Sequence, residues 1–170
     1  MLRRTFIQAG SVVGLMLGGP AWGQEQQAEP DRAVLLTVRL AEGGQEKTLA
    51  EFTLKDLKSM PITRFQTKTV WTEGTQEFTG VALSDLMKQL EITAGTVEAW
   101  AINDYLAEIP MTDARPEGPI IAYLRNGDEM SVREKGPLWV VYPYDSDPAY
   151  QREEIYVRSV WQLNRLILNP

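Results

Sequence analysis

From position 33 onward the chain is cut into short runs of β-branched and aliphatic residues separated by turn residues, and this punctuation constrains the fold more than any other feature. Ala33–Leu40 (AVLLTVRL) reads as a strand that ends in Ala-Glu-Gly-Gly. Ile62–Trp71 (ITRFQTKTVW), Thr96–Ile102 (TVEAWAI), Leu106–Pro110 (LAEIP), Pro119–Arg125 (PIIAYLR) and Leu138–Pro143 (LWVVYP) have the same character. Asn126-Gly127, a favoured dipeptide of tight hairpins, links Arg125 to Asp128 and the residues after it. Val157–Leu168 closes the domain as one or two strands.

Helical spacing is found in two places. Leu54, Leu57 and Met60 share a face after Thr53, a candidate N-cap, and Pro61 stops that helix. Val81, Leu83, Leu86, Met87 and Leu90 form a second apolar face, and Glu73-Gly74 turns the chain between Trp71 and this helix. Tyr144–Glu154 reads as a polar loop, and there is no internal repeat or low-complexity block. Many short strands with two short helices predict the α+β class, a mainly β mixed sheet with helical insertions.

The chain has 170 residues, 44% of them hydrophobic and 24% charged, which fits one domain with an ordinary core. Residues 1–23 read as an export signal: paired arginines, an apolar stretch, then small residues around Trp22, with cleavage expected near Gly23. Arg3-Arg4-Thr5-Phe6-Ile7 is twin-arginine-like, although Leu2 stands where Ser or Thr is usual; a plain secretory signal is the other reading. Val12–Leu17 is too short for a span of about 20 residues, and no later segment supplies one. Residues 24–32 (QEQQAEPDR) form a flexible leader and residues 33–170 a single domain, expected in the periplasm.

Cysteine is absent, so in an oxidising compartment the core must hold by packing alone. Formal net charge is −6, and loss of Arg3 and Arg4 with the signal takes it to −8. Such a domain repels nucleic acid and anionic lipid, and neither is an expected partner.

Histidine is absent as well. Together these absences exclude a Ser-His-Asp triad, a thiol nucleophile, a His-rich zinc site and haem held through His or Cys. No glycine-rich phosphate loop occurs. Asp145 and Asp147 lack EF-hand spacing and read as a solvated acidic loop rather than a calcium site. What remains are aromatic, amide, acidic and basic residues at strand ends and turns, where a rigid sheet presents binding groups: Trp71, Asn103, Asp104, Tyr105, Arg125, Lys135 and Trp139. Each has a structural reading beside it, since a tryptophan in an apolar strand is commonly core and Asn-Asp is commonly turn chemistry. Trp161 reads as core, and Trp139 is left between core and site.

Six phrases carry a resemblance: Trp71-Thr-Glu-Gly, Phe78-Thr-Gly-Val-Ala-Leu-Ser-Asp-Leu86, Asn103-Asp-Tyr105, Ile121-Ala-Tyr-Leu-Arg-Asn-Gly127, Met130 to Trp139 (MSVREKGPLW) and Val160-Trp-Gln-Leu163. In order and spacing they resemble the molybdopterin-binding domain of the sulfite oxidase family, in particular its short exported single-domain members, over about Val34 to Leu168. The resemblance implies that fold, with a pterin cleft over strand ends. In catalytic members a cysteine thiolate on the loop before the FTGV-like helix ligates molybdenum. Here that loop is Thr67–Gly74 and has no cysteine, so the redox chemistry is not carried over.

A pterin does not need that thiolate, because flat heterocycles are held by stacking and hydrogen bonds. Trp71 or Tyr105 is expected over the ring face, Asp104 with Asn103 at its aminopyrimidinone edge, and Arg133 and Lys135 at any anionic tail, with Thr72 and Trp139 as further ligand-binding candidates. Short cysteine-less relatives resemble periplasmic pterin-binding proteins that report to membrane signalling enzymes such as diguanylate cyclases, and this is the favoured expectation. A molybdopterin-dependent oxidoreductase, or a subunit of one, is the alternative, and an interaction protein with a vestigial cleft is the third.

Overall fold

Two strands joined by Gly43-Gly44 begin the described part of the computed structural model, residues 33–170; the expected signal and leader, up to residue 32, lie outside it. β1 (Val34–Glu42) buries Leu36 and Val38 on alternate positions, as a half-buried strand should. β2 (Gln45–Thr53) returns antiparallel, with Glu42 opposite Gln45. Both linking glycines have positive φ, 60° and 77°, the left-handed pair that a two-residue hairpin of this hand requires.

Thr53 then caps α1 (Leu54–Ser59) as its spacing predicts. Its hydroxyl accepts from the Asp56 N–H at 3.2 Å, and the Asp56 carboxylate accepts from the Thr53 N–H at 2.8 Å, a reciprocal capping box. The helix buries Leu54 and Leu57.

β3 (Ile62–Lys68) pairs with β4 (Thr75–Ala82), and α2 (Leu83–Gln89) follows directly. β5 (Thr96–Ala101), β6 (Leu106–Pro110), β7 (Ile120–Arg125), β8 (Asp128–Glu129) and β9 (Trp139–Val141) come next, then α3 (Glu153–Arg158) and β10 (Leu163–Asn169). One sheet has the order β2-β1-β10-β5-β6, with β1 and β10 parallel. The other runs β3-β4-β7-β8, with β9 also on β7. Leu36 and Val38 from the first sheet and Phe78, Ile121 and Val141 from the second belong to one apolar core that also takes in α1 and α2. The mixed, mainly β architecture with short helices agrees with the sequence expectation.

The sheets are stitched where β9 meets the approach to β10. Trp139 bridges Trp161, the Val140 N–H donates to the Val160 carbonyl at 2.8 Å, and the Leu163 N–H donates to the Leu138 carbonyl at 2.9 Å. This seam positions the site described below.

Three elements depart from the sequence expectation. β2 has no counterpart in the sequence expectation, because at the sheet edge most of its residues are exposed and its first four are polar. β4 intervenes between the Trp71 loop and the helix, so Val81 and Ala82 are strand residues; Phe78 to Ala82 are buried without a break, which hides the strand's alternation. Tyr144–Glu154 is no simple loop and Val157 is not in a strand. Tyr144 and Tyr150 are core residues, and α3 begins at Glu153. Six residues with only Ile155 buried give too short a pattern for periodicity to register.

No helix among the described residues is long and apolar enough to cross a membrane.

Candidate functional site

The loop after β3 owes its place to Thr67 and Lys68. Thr67 is buried, its hydroxyl accepts from the Asp145 N–H at 3.0 Å, and the Asp145 carboxylate accepts from the Lys68 N–H at 2.7 Å. Asp145 is exposed and also serves as a clamp, and Asp147 caps the turn at Pro148–Tyr150 by accepting from the Ala149 N–H. Beyond the clamp, the Thr69 and Thr72 hydroxyls bond each other at 2.8 Å and the Trp71 N–H donates to the Thr69 oxygen at 3.1 Å. Thr72 thus shapes the loop and is not among the cleft residues, while Trp71 is held over the seam.

The Trp71 ring meets four aromatic rings edge-on: Trp161 at 5.3 Å between centroids, Trp139 and Tyr156 at 5.8 Å, and Tyr144 at 6.3 Å. Edge-to-face contacts place positive ring edges against negative faces and favour a fixed cluster. Part of the cluster opens into a cleft of about 310 Å³. Trp71 and Trp161 line it with Ala101, Asn103 and Tyr105 from the β5–β6 turn and Glu153, Tyr156, Val157, Ser159 and Val160 from α3 and its exit.

The β5–β6 turn is held by turn chemistry. The Asp104 N–H donates to the Ala101 carbonyl at 3.1 Å, Asp104 has φ 62°, and the Asn103 side-chain oxygen accepts from the Tyr105 N–H at 3.3 Å. Tyr105 then reaches across to donate its hydroxyl to the Val157 carbonyl at 2.9 Å, tying the turn to α3. Asp104 is exposed and does not line the cleft, so its expected place at the ligand edge is not where the fold puts it. The acidic residue that does line the cleft is Glu153.

Behind the cleft lies a closed polar hub. Ser159 is buried; its hydroxyl donates to the Ile155 carbonyl at 2.7 Å and accepts from the Tyr144 hydroxyl at 2.6 Å. The Trp139 indole N–H donates to the Ser159 carbonyl at 3.3 Å. Burial holds the Tyr144 hydroxyl well above the ordinary tyrosine range. With its hydroxyl committed on both sides, Ser159 is not a free nucleophile.

Of the two tryptophans, the one left between core and site is core, and the one expected in the core lines the cleft. Trp139 is wholly buried and packs on Phe78 at 5.4 Å, backing the cleft without lining it. Trp161, read as core, is half-buried and lines the cleft. Lys135 covers one face of Trp161, its ammonium 4.1 Å from the ring centroid and 5.8 Å from that of Trp139. Burial, and next the nearby Arg125, push the Lys135 ammonium below its usual range. Arg125 itself pairs with Glu134 at 3.8 Å. Arg133 is exposed on the short turn Val132–Glu134 and does not line the cleft.

Of the expected site residues, the fold gathers Trp71, Asn103 and Tyr105 at one cleft, with Lys135 stacked on its Trp161 wall. Tyr156, Glu153 and Trp161 escaped the sequence reading. The Val160-Trp161-Gln162 phrase was the available signal, but its aliphatic flanks point to core.

An apolar aromatic enclosure with one amide and one carboxylate suits a flat heterocycle bearing hydrogen-bonding edges. Metal ligation is a different matter. The chain has no cysteine or histidine, and the described residues bring together no group of three Asp or Glu that would hold a metal ion.

Residues 32–145 match the family model described as the oxidoreductase molybdopterin binding domain. The fold is similar to the crystal structure of the sulfane dehydrogenase SoxCD from Paracoccus pantotrophus, with a TM-score of 0.58 and 18% identity over 83% of this chain. The likeness takes in 39% of that protein's chain, so this chain spans well under half its length. No curated protein matches the chain in sequence. The match at residues 32–145 includes Trp71, Asn103 and Tyr105, whereas the α3 side of the cleft, from Glu153 to Trp161, lies beyond it.

Proposed function

The chain belongs to the oxidoreductase molybdopterin binding domain family, and from that premise we propose that it is an exported periplasmic protein that binds a pterin and reports its occupancy to a membrane signalling partner, such as a diguanylate cyclase. The observation that carries the reading is the aromatic cleft between Trp71 and Trp161, in a chain without a thiolate. About 310 Å³ lies at the small end of ligand sites and suits a bicyclic ring better than a dinucleotide.

The metal half of a molybdopterin cofactor does not fit this chain. Soft thiolate is the ligand the family pattern uses, and the hydroxyls of Thr67, Thr69 and Thr72 are hard donors engaged in holding the loop. The pterin half fits, since stacking and edge hydrogen bonds need no metal. Export rests on the N-terminal sequence, and a reporting role suits an exported binding cleft whose lining serine is already committed to other partners.

Titration with oxidised and reduced pterins, followed by tryptophan fluorescence, tests the reading. Saturable quenching is expected, and Trp71→Ala should weaken binding roughly 10-fold through lost stacking. No quenching by any pterin would leave the cleft vestigial.

The second reading, a molybdopterin-dependent oxidoreductase or a subunit of one, is favoured by the family's description and by the likeness to a dehydrogenase. Stoichiometric molybdenum in protein purified from its native periplasm would establish it against the first.

A further inference from the structure

The cleft lining is aromatic and aliphatic except for Asn103, Ser159 and Glu153. Ser159 is spent on Ile155 and Tyr144, and the Asn103 oxygen is spent on the Tyr105 N–H, which leaves its amide N–H₂ as a donor. Glu153 is the one charged residue of the lining among the described residues, and neither Lys nor Arg accompanies it there. Within the same residues its carboxylate forms no ion pair, unlike its neighbour Glu154, which Arg152 approaches at 4.0 Å. Glu108, Glu154 and Arg158 lie with Glu153 along the adjoining groove but outside the cleft, and Arg158 is paired with Asp113 at 3.1 Å. A carboxylate residue without an ion pair among the described residues therefore stands in the lining of an otherwise largely apolar ring site, with an amide donor also in that lining.

From this arrangement we infer that Glu153 reads the donor edge of the bound heterocycle and restricts the cleft to rings with a 2-amino-4-oxopyrimidine edge. The inference rests on the pterin-binding reading. A pterin presents two parallel N–H donors, from its 2-amino group and N3, and a carboxylate accepts both at once with charge assistance. A lumazine, the 2,4-dioxo analogue of the same size and shape, presents a carbonyl oxygen where the pterin has its amino group. Against Glu153 that oxygen faces another acceptor, so one hydrogen bond is lost and a repulsion replaces it. Flavins share the dioxo edge and are rejected for the same reason. Sites that must hydrogen-bond a ligand group discriminate strongly against analogues lacking it, whereas apolar walls do so weakly. The aromatic cluster therefore supplies affinity for both rings, and Glu153 supplies the choice between them.

The test uses the full mature chain, pterin and lumazine as matched probes, and calorimetry at mildly acidic pH, where both rings are neutral. Wild type is expected to bind pterin about 10- to 100-fold more tightly than lumazine. In Glu153→Gln the side chain has one acceptor and one donor, so pterin affinity falls, lumazine affinity rises and the ratio approaches unity. Glu154→Gln, one residue along α3, and Asp104→Asn, in the β5–β6 turn, should keep the wild-type ratio. Glu153 is exposed and unpaired among the described residues, so the substitution leaves the fold intact, and an unchanged near-ultraviolet circular dichroism spectrum checks this. Equal affinities in wild type, or a ratio preserved in Glu153→Gln, overturn the inference while the pterin reading stands. A ratio lost in Asp104→Asn instead moves the role to the turn and overturns it too. Failure of both rings to bind overturns the pterin reading and the inference together.

Discussion

Trp139 and Trp161 face each other across one β-bridge, each preceded by an aliphatic residue, yet the first is wholly buried and the second is half-buried in the cleft wall. The difference lies in what each meets on its second side. Trp139 belongs to β9 and is covered by Phe78 of β4, by Trp71 and by the Ser159 hub. Trp161 precedes β10 and is covered by Trp71 and the Lys135 ammonium, with the cleft left open. One tryptophan holds the sheets together and the other offers surface to a ligand, although their local sequences look alike.

Substituting each in turn should separate the two roles. Trp139→Ala removes a large side chain from a closed space and is expected to cost about 3–5 kcal/mol in urea unfolding. Trp161→Ala should cost clearly less, on the order of 1–2 kcal/mol, since part of its surface is already in water and one cation–π contact is lost. Equal losses would erase the distinction.

Alkaline pH probes the buried side. Burial raises the Tyr142 and Tyr144 hydroxyls above the ordinary tyrosine value, which lies near 10 in an unfolded chain. The folded state holds these protons more tightly, so their contribution is complete below about pH 10 and is lost as pH rises beyond it. Stability measured from pH 8 to 11 should therefore fall at the top of the range. Tyr144→Phe should flatten part of that fall, and an unchanged profile would show that the hub does not govern it.

The open side has the smallest expected effect on stability and shows itself in binding. Trp161→Ala should weaken pterin binding roughly 10-fold, as a lost stacking wall does. Unchanged affinity would return Trp161 to a purely structural part.

Much of the fold was legible where local chemistry dictates local structure. Thr53 with Asp56 caps α1, Asn126-Gly127 turns β7 into β8 with φ of 54° and 89°, and the alternation of β1 buries Leu36 and Val38. β4 was hidden because burial on both faces removes alternation, β2 because an edge strand has little apolar signal, and α3 because six residues are too few to show a period. Legibility of the site followed the same division. Trp71, Asn103 and Tyr105 stand at turns and can be picked out one by one. Glu153 and Trp161 matter only because α3 and the approach to β10 are folded against those turns through bonds such as that from Tyr105 to Val157.

By itself the sequence determined what chemistry is absent, a thiolate or imidazole ligand, and the order of phrases that marks the family. Only the tertiary structure decided which carboxylate lines the cleft and which tryptophan closes the core. The physical reason is that a side chain's neighbours in sequence set the face it occupies, while its exposure and hydrogen-bonding depend on what covers that face. Here the cover comes from long-range pairing, of β9 with β7, of Trp139 with Trp161, and of α3 with the β5–β6 turn.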